Sequence, residues 1–371
     1  MTRFSLFFIG VFSTLISLMS FLNIIYSYYF NLYLNLDSYI YSLFISLFFG
    51  ILFLFKKKNE IKITIYQKII TIIAGYLFLP ILISIPYYLS IYNISFLDCY
   101  FESISGFTST GFSIFNNIKH LDESIILWRS SSQWLGGLYF LFSIILLIDI
   151  FDINLKKSLT NFLSLNIAES LKQYLKIFIL YSALTFLIFL ILNIFGLRFF
   201  DSFNLSMTII SSGGFLPVND LTEIINTNTK EIILSLLMLL SFFSLFLSYN
   251  LLTTKKNVNF YQEDFYLLIY LFFIIILIYY LDGFNNNFSS LLLSLCSSIS
   301  NIGFTTKGSY ENISFILLIL TIIGGSFFST SSGLRFIKLY SLFVFAKNEL
   351  ISHAKPKHVY ITKLKFSNSK F

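Results

Sequence analysis

Eight continuous apolar runs dominate this chain: Phe4–Tyr29, Tyr39–Phe55, Ile65–Tyr92, Leu127–Ile150, Ile177–Phe200, Ile232–Leu252, Phe265–Leu281 and Ile313–Phe345. A helix needs about 20 apolar residues to cross a bilayer, whereas a transmembrane barrel uses alternating segments of about ten. These runs are continuous and longer than barrel strands, so the reading is an all-α integral membrane protein. Only 12% of the 371 residues are charged, roughly half the share in soluble domains. That balance excludes disorder, a coiled coil and a nucleic-acid-binding domain. The net charge of +7 comes from short clusters between apolar runs, so no nucleic-acid partner is expected. Cys99 and Cys296 lie far apart in apolar surroundings, and His120, His353 and His358 have no cysteine or carboxylate at ligand spacing. Neither a disulfide framework nor a metal site is expected. Phe4–Tyr29 lacks a small-residue cleavage site and is too long for a signal-peptide core.

Lys and Arg placement sets the orientation. Lys56, Lys57, Lys58, Lys62 and Lys68 follow the second run, and Lys156, Lys157, Lys172 and Lys176 lie between the fourth and fifth. With Lys255, Lys256, the tail lysines, Arg3, Arg335 and Lys338, one side carries 20 of the 25 basic residues. The other carries 11 of the 18 acids, among them Asp98, Glu102, Asp122, Glu123 and Asp201. Both termini are therefore expected in the cytoplasm. The acidic outer face would concentrate cations.

An internal repeat is the most informative feature. Asp98 lies 13 residues before Gly111-Phe112, and Asp201 lies 13 residues before Gly214-Phe215. The pattern recurs more loosely as Ser300-Asn301-Ile302-Gly303-Phe304-Thr305-Thr306. Each copy follows a half-apolar segment of about a dozen residues, too short to cross a bilayer and too apolar for a free loop. A re-entrant helix fits such a segment, its C-terminal dipole end favouring a cation at the membrane centre. The Ser/Thr-Gly-Phe stretch would return extended, its carbonyls replacing the hydration shell of a monovalent cation.

Phe101-Glu102-Ser103-Ile104-Ser105-Gly106-Phe107-Thr108-Ser109-Thr110-Gly111, then Trp128-Arg129-Ser130-Ser131-Ser132-Gln133-Trp134-Leu135-Gly136-Gly137, carry a closer likeness. With Ser212-Gly213-Gly214-Phe215, Gly303-Phe304 and the segment Ile323-Gly324-Gly325 to Gly333-Leu334-Arg335, the sequence resembles the Trk/Ktr/HKT superfamily of potassium and sodium transport proteins. Two runs before the first repeat are similar to the Trk-type branch. The resemblance implies eight transmembrane helices with three re-entrant pore-helix and filter loops, potassium-channel-like. The filter would comprise Thr108, Ser109, Thr110 and Gly111, then Ser212, Gly213 and Gly214, then Asn301, Ile302 and Gly303. Gly324, Gly325, Ser329, Thr330 and Gly333 would form an intramembrane gate loop, with Phe328 and Ser332 where the family usually has glycine. Glycine at 111 favours potassium, with a sodium-preferring pore of the same architecture as the alternative. No catalytic residues and no bound cofactor are implied; K+ is the transported ion.

The resemblance also implies a bacterial cytoplasmic membrane location, a homodimer and cytosolic nucleotide-binding regulatory subunits. It divides the chain into two extra helices over 1–60, pore repeats over 61–155, 156–256 and 257–346, and a basic tail over 347–371. The fourth repeat of the family is missing, so either a second chain supplies it or the chain is a truncated, non-conducting subunit. Three further expectations come from the residues. Arg129 pairs with Glu102 or Asp98 to support the first pore helix. Gly136-Gly137 forms a packing notch. Pro80 and Pro86 kink the third span.

Overall fold

The computed structural model describes residues 3–55, 64–147, 170–245, 262–281, 287–304 and 313–354. The long helices among them follow the apolar runs, short helices stand between the runs, and no strand occurs among the described residues. In chain order the helices are α1 (Arg3–Tyr29), α2 (Leu36–Leu54), α3 (Ile65–Tyr88), α4 (Phe96–Phe107), α5 (Glu123–Leu146) and α6 (Ser170–Ile194). There follow α7 (Phe199–Ser211), α8 (Asn228–Phe242), α9 (Gln262–Leu281), α10 (Phe288–Ser300), α11 (Ser314–Ile323) and α12 (Phe336–Ala354).

α1, α2, α3, α6 and α9 are long and apolar enough to cross a membrane, which makes this an integral membrane protein. Eight such helices were expected, and the differences have physical reasons. α5 has the length, 24 residues, but Arg129, Gln133 and a run of serines dilute its apolarity. α8 ends at Phe242 after 15 residues. The eighth run is two helices, α11 of 10 residues and α12 of 19, separated by non-helical chain at the expected Gly324-Gly325 break. The basic clusters at 56–62, 156–157 and 255–256, Thr305 and Thr306, and the tail beyond Ala354 lie outside the described residues.

α3 begins with a capping box: Thr64 Oγ1 accepts from Gln67 N–H, and Gln67 Oε1 accepts from Thr64 N–H. Such reciprocal bonds satisfy two of the donors a helix start leaves open. The helix runs through both Pro80 and Pro86. Three residues before each proline a carbonyl takes an outside donor: Leu77 O from Tyr100 Oη at 2.9 Å, and Ile83 O from the Trp128 indole at 3.0 Å.

The described chain forms two compact units, 1–151 with 181–225, and 152–180 with 226–371. In the first, α5 is buried along nearly its whole length and α1 to α4 pack around it. Phe8, Phe12, Tyr76, Phe107 and Tyr139 form one aromatic cluster. α1 and α2 approach through Gly10 and Gly50, where any added Cβ meets the facing helix, and Ser20 bonds Ser42 across them at 3.0 Å. Phe44 and Phe48 of α2 are exposed, as suits a surface solvated by lipid rather than water. In the second unit α8 packs on α10, α10 on α11, and Tyr266 of α9 stacks on Tyr340 of α12.

Candidate functional site

The short helices α4, α7 and α10 end in one geometry, built three times. Ser109, Ser212 and Asn301 occupy the left-handed region at φ 55°, 54° and 58°. At the first helix Ser109 N–H donates to Gly106 O (3.0 Å) and Thr110 N–H to Ser105 O (2.9 Å). At the second, Ser212 N–H donates to Ile209 O (3.1 Å) and Gly213 N–H to Thr208 O (2.9 Å). At the third, Asn301 N–H donates to Ser298 O (3.2 Å) and Ile302 N–H to Ser297 O (3.0 Å). This pair of bonds is the Schellman cap, which satisfies the orphan carbonyls of a helix C-terminus. Two residues after each left-handed position stands a glycine, Gly111, Gly214 and Gly303, at φ 82°, 86° and 82°. Only glycine adopts such angles without cost.

A hydroxyl seven residues back ties each of the first two strands to its helix. Ser105 Oγ donates to Phe112 O at 2.5 Å, and Thr208 Oγ1 donates to Phe215 O at 3.1 Å. Thr108 Oγ1 donates to Ile104 O at 2.7 Å and meets Thr110 Oγ1 at 2.7 Å. The two strands adjoin: a Cβ on Gly111 would lie 2.8 Å from the Gly213 carbonyl oxygen.

α5 organises both strands. Arg129 takes Glu102 rather than Asp98, its Nε donating to Oε1 at 2.8 Å with the two side chains 1% and 0% exposed. Asp98 instead bonds Ser95, whose hydroxyl caps the start of α4. Glu102 Oε2 accepts from Ile114 N–H at 2.9 Å, and Ser113 Oγ bridges Glu102 and Arg129 Nη2. The carboxylate thus fastens the chain returning from Gly111 back onto α4. One turn further along α5, Gln133 Nε2 donates to Gly213 O at 2.5 Å while its Oε1 accepts from Phe215 N–H at 3.3 Å. Gly136 and Gly137 form the notch: a Cβ on Gly136 would strike the Phe107 carbonyl at the end of α4, and one on Gly137 would lie 2.9 Å from Ser211 Cβ at the end of α7.

The loops around the starts of α5 and α7 add charged pairs. Arg198 reaches Glu123 at 3.3 Å and Asp201 at 3.2 Å. Partial burial works against its charge, but the hydrogen bond and charge of Asp201, with Glu123, outweigh it and raise its pKa. Lys119 pairs with Glu223 at 3.1 Å, and Asn219 bonds both Asn117 and Ile118 N–H across the two returning loops.

In the second unit the chain between α11 and α12 folds back on itself. Gly324 at φ 70° and Gly333 at φ 96° lie backbone to backbone, so that a Cβ on Gly333 would meet Gly324 Cα at 2.7 Å. Leu334 N–H closes the base on Ile322 O at 2.9 Å. Gly325 N–H donates to Ser331 Oγ, and Ser329 Oγ meets Ser331 Oγ at 3.0 Å. Arg335 Nη1 crosses the loop to Ser326 O at 2.9 Å and Ser329 Oγ at 2.9 Å. The frayed end of α8 supports it: Phe242 O and Ser241 O accept from Ser326 and Ser331 N–H, Thr330 Oγ1 reaches Ser241 O, and Leu245 N–H donates to the buried Phe328's carbonyl. Two adjacent buried carboxylates on α9 finish the frame. Glu263 Oε1 accepts from Phe327 N–H at 3.0 Å, and Asp264 accepts from Ser244 N–H and Oγ at 3.1 and 2.7 Å.

The structure therefore brings Thr108–Gly111 and Ser212–Gly214 together, gives Asn301–Gly303 the same cap within the second unit, and gathers Gly324, Gly325, Ser329, Thr330 and Gly333 into one loop. Sequence reasoning missed Gln133, Ser105, Thr208, Ser113, Glu263 and Asp264 as supports. Only their polarity inside apolar runs marked them.

Fold and caps together define a helical membrane protein built on a repeated unit of a short capped helix and the glycine-bearing segment that follows it. The particular relatives are Trk potassium uptake proteins and a cation transporter, and the chain is homologous to them. It is 28% identical over 264 residues to an uncharacterised cation transporter of Methanocaldococcus jannaschii, covering 69% of this chain and 54% of that protein. It is 26% identical over 296 residues to the Trk system potassium uptake protein TrkH of Escherichia coli, covering 73% and 60%. The chain thus spans less than two thirds of the length of these relatives. The crystal structure of the potassium transporter TrkH from Vibrio parahaemolyticus shares the fold, with a TM-score of 0.81 at 20% identity, over 99% of this chain and 80% of that one. No family model matches the chain.

Proposed function

We propose that this chain is the membrane-embedded, ion-translocating subunit of a potassium uptake system. The observation that carries the reading is the cap repeated at Ser109, Ser212 and Asn301, each followed two residues later by a left-handed glycine. Such a turn ends a helix with its dipole's negative end toward the strand and leaves a short extended segment of backbone carbonyls. The approach of Gly111 to the Gly213 carbonyl adds that two of these strands share one lining. No bond is made or broken: a dehydrated K+ exchanges water for carbonyl oxygens and moves down its electrochemical gradient.

In this reading Thr108–Gly111, Ser212–Gly214 and Asn301–Gly303 are selectivity strands on re-entrant helices. Glu102 and Arg129 support the first helix. The loop 324–335 is the gate, held by Arg335 and Glu263, and the repeats run over 61–155, 156–256 and 257–346. The basic side faces a bacterial cytoplasm with both termini, and there the chain would dimerise and receive nucleotide-binding regulatory subunits.

Rescue of a potassium-uptake-deficient bacterium on limiting potassium tests the reading. Growth supported by the chain, with a partner subunit where one is required, and lost on Gly111→Ser or Gly111→Asp, is the expected result. Unchanged growth with both substitutions would remove Gly111 from the pore.

A further inference from the structure

The three strands differ most in side-chain bulk at one position of their repeat. Between the left-handed residue and the glycine stand Thr110, Gly213 and Ile302. The second strand alone has no side chain there, and the structure holds the reason: a Cβ on Gly213 would collide with the Gln133 carboxamide carbon and oxygen. Gln133 is fully buried, and its two ends are used with opposite polarity, donating to Gly213 O at 2.5 Å and accepting from Phe215 N–H at 3.3 Å.

We propose that Gln133 is a positioning residue that fixes the second strand's backbone so that this strand discriminates potassium from sodium. The inference rests on the cation-conducting reading above. Holding one carbonyl and one N–H two residues apart locks the peptide planes on either side of Gly214, which cannot turn without breaking a bond to Gln133. Two glycines in succession would otherwise make this the loosest of the three strands. A cavity that adapts its carbonyl positions to a smaller ion loses its preference for the larger one. The held carbonyl is also the one against which Gly111 lies, so freedom gained at Gln133 reaches the first strand.

The test is thermal unfolding of the purified full chain in detergent, titrated with KCl or NaCl at constant ionic strength. Wild type is expected to be stabilised at lower K+ than Na+ concentration. Gln133→Leu, and Gln133→Met as an unbranched second variant, are expected to lower the K+-over-Na+ ratio up to about tenfold, the scale of one lost buried hydrogen bond. The double variant Gln133→Ala, Gly213→Thr refills the space without the amide and is expected to keep the lowered ratio. An unchanged ratio in both Gln133→Leu and Gln133→Met, or full restoration in the double variant, overturns the proposal and leaves the cation reading standing. Wild type stabilised by neither cation overturns the cation reading, and this inference with it.

Discussion

The Arg129 guanidinium lies 4.2 Å from the centroid of the Phe215 ring and its Nη2 donates to Ser113 Oγ at 2.9 Å, so one side chain on α5 touches the chain that follows both α4 and α7. Its Nε is bound to Glu102 beneath the first strand, while its Nη1 is buried with no hydrogen-bond partner among the described residues. The guanidinium as a whole lies over the Phe215 ring, with Phe115 further off at 5.6 Å. A desolvated cation over an aromatic face is worth about 2 kcal/mol. Removing one partner of a buried ion pair costs about 3–5 kcal/mol, because the other charge stays behind.

Arg129→Met is therefore expected to lower the melting temperature in detergent far more than the pair of changes Glu102→Gln, Arg129→Met, which strands no charge. Equal losses from the single and the double variant would show that the pair carries little of the stability.

Gly136 faces a backbone carbonyl that cannot move aside, whereas Gly196 at φ 78° has nothing within 4 Å of its Cβ position. Gly136→Ala should cost about 1–3 kcal/mol or more as overpacking, with α4 displaced from α5. Gly196→Ala should cost only the backbone term, about 1 kcal/mol. Melting temperatures of the two variants side by side check the order.

The left-handed cap residues give a prediction of opposite sign. An L-residue in that region costs about 1–2 kcal/mol, so Ser212→Gly is expected to be neutral or slightly stabilising. Ser212→Val, β-branched at φ 54°, is expected to destabilise and to abolish uptake. Rubidium uptake and melting temperature, measured on both variants, decide it.

Much of this was legible in the sequence. The gaps between apolar runs located α4, α7 and α10, and the Asp-to-Gly-Phe spacing marked the first two of them. The same topology put Arg129 near Glu102, and Gly136-Gly137 read as a notch. The break at Gly324 was visible through the family resemblance alone, because Phe327 and Phe328 keep the run apolar while the backbone leaves the helix. The αL positions were hidden for a related reason. Serine carries no strong turn signature, and only Asn301 is a usual occupant of that region. Gln133 stood in a quoted motif with no partner to give it a role, since its contacts lie 80 and 82 residues away. Glu263 and Asp264 sat at the edge of an apolar run, where acids ordinarily meet water.

Those two acids yield a fourth prediction. Asp264→Asn keeps an acceptor for Ser244 N–H and a polar partner for its hydroxyl, and should be tolerated. Asp264→Ala loses both bonds, at about 1–3 kcal/mol for the buried groups left unpaired. Faster proteolysis near residues 243–245 in Asp264→Ala alone is the expected outcome; equal rates in both variants would remove the carboxylate from that role.

The central claim is that the adjoining strands at Gly111 and Gly213–Gly214 hold a dehydrated monovalent cation. Crystals grown with thallium in place of potassium test it most directly, through the anomalous signal of the ion. The account predicts a peak between these two strands that vanishes in Gly111→Asp. Thallium absent from that place, or bound only elsewhere in the protein, would contradict it.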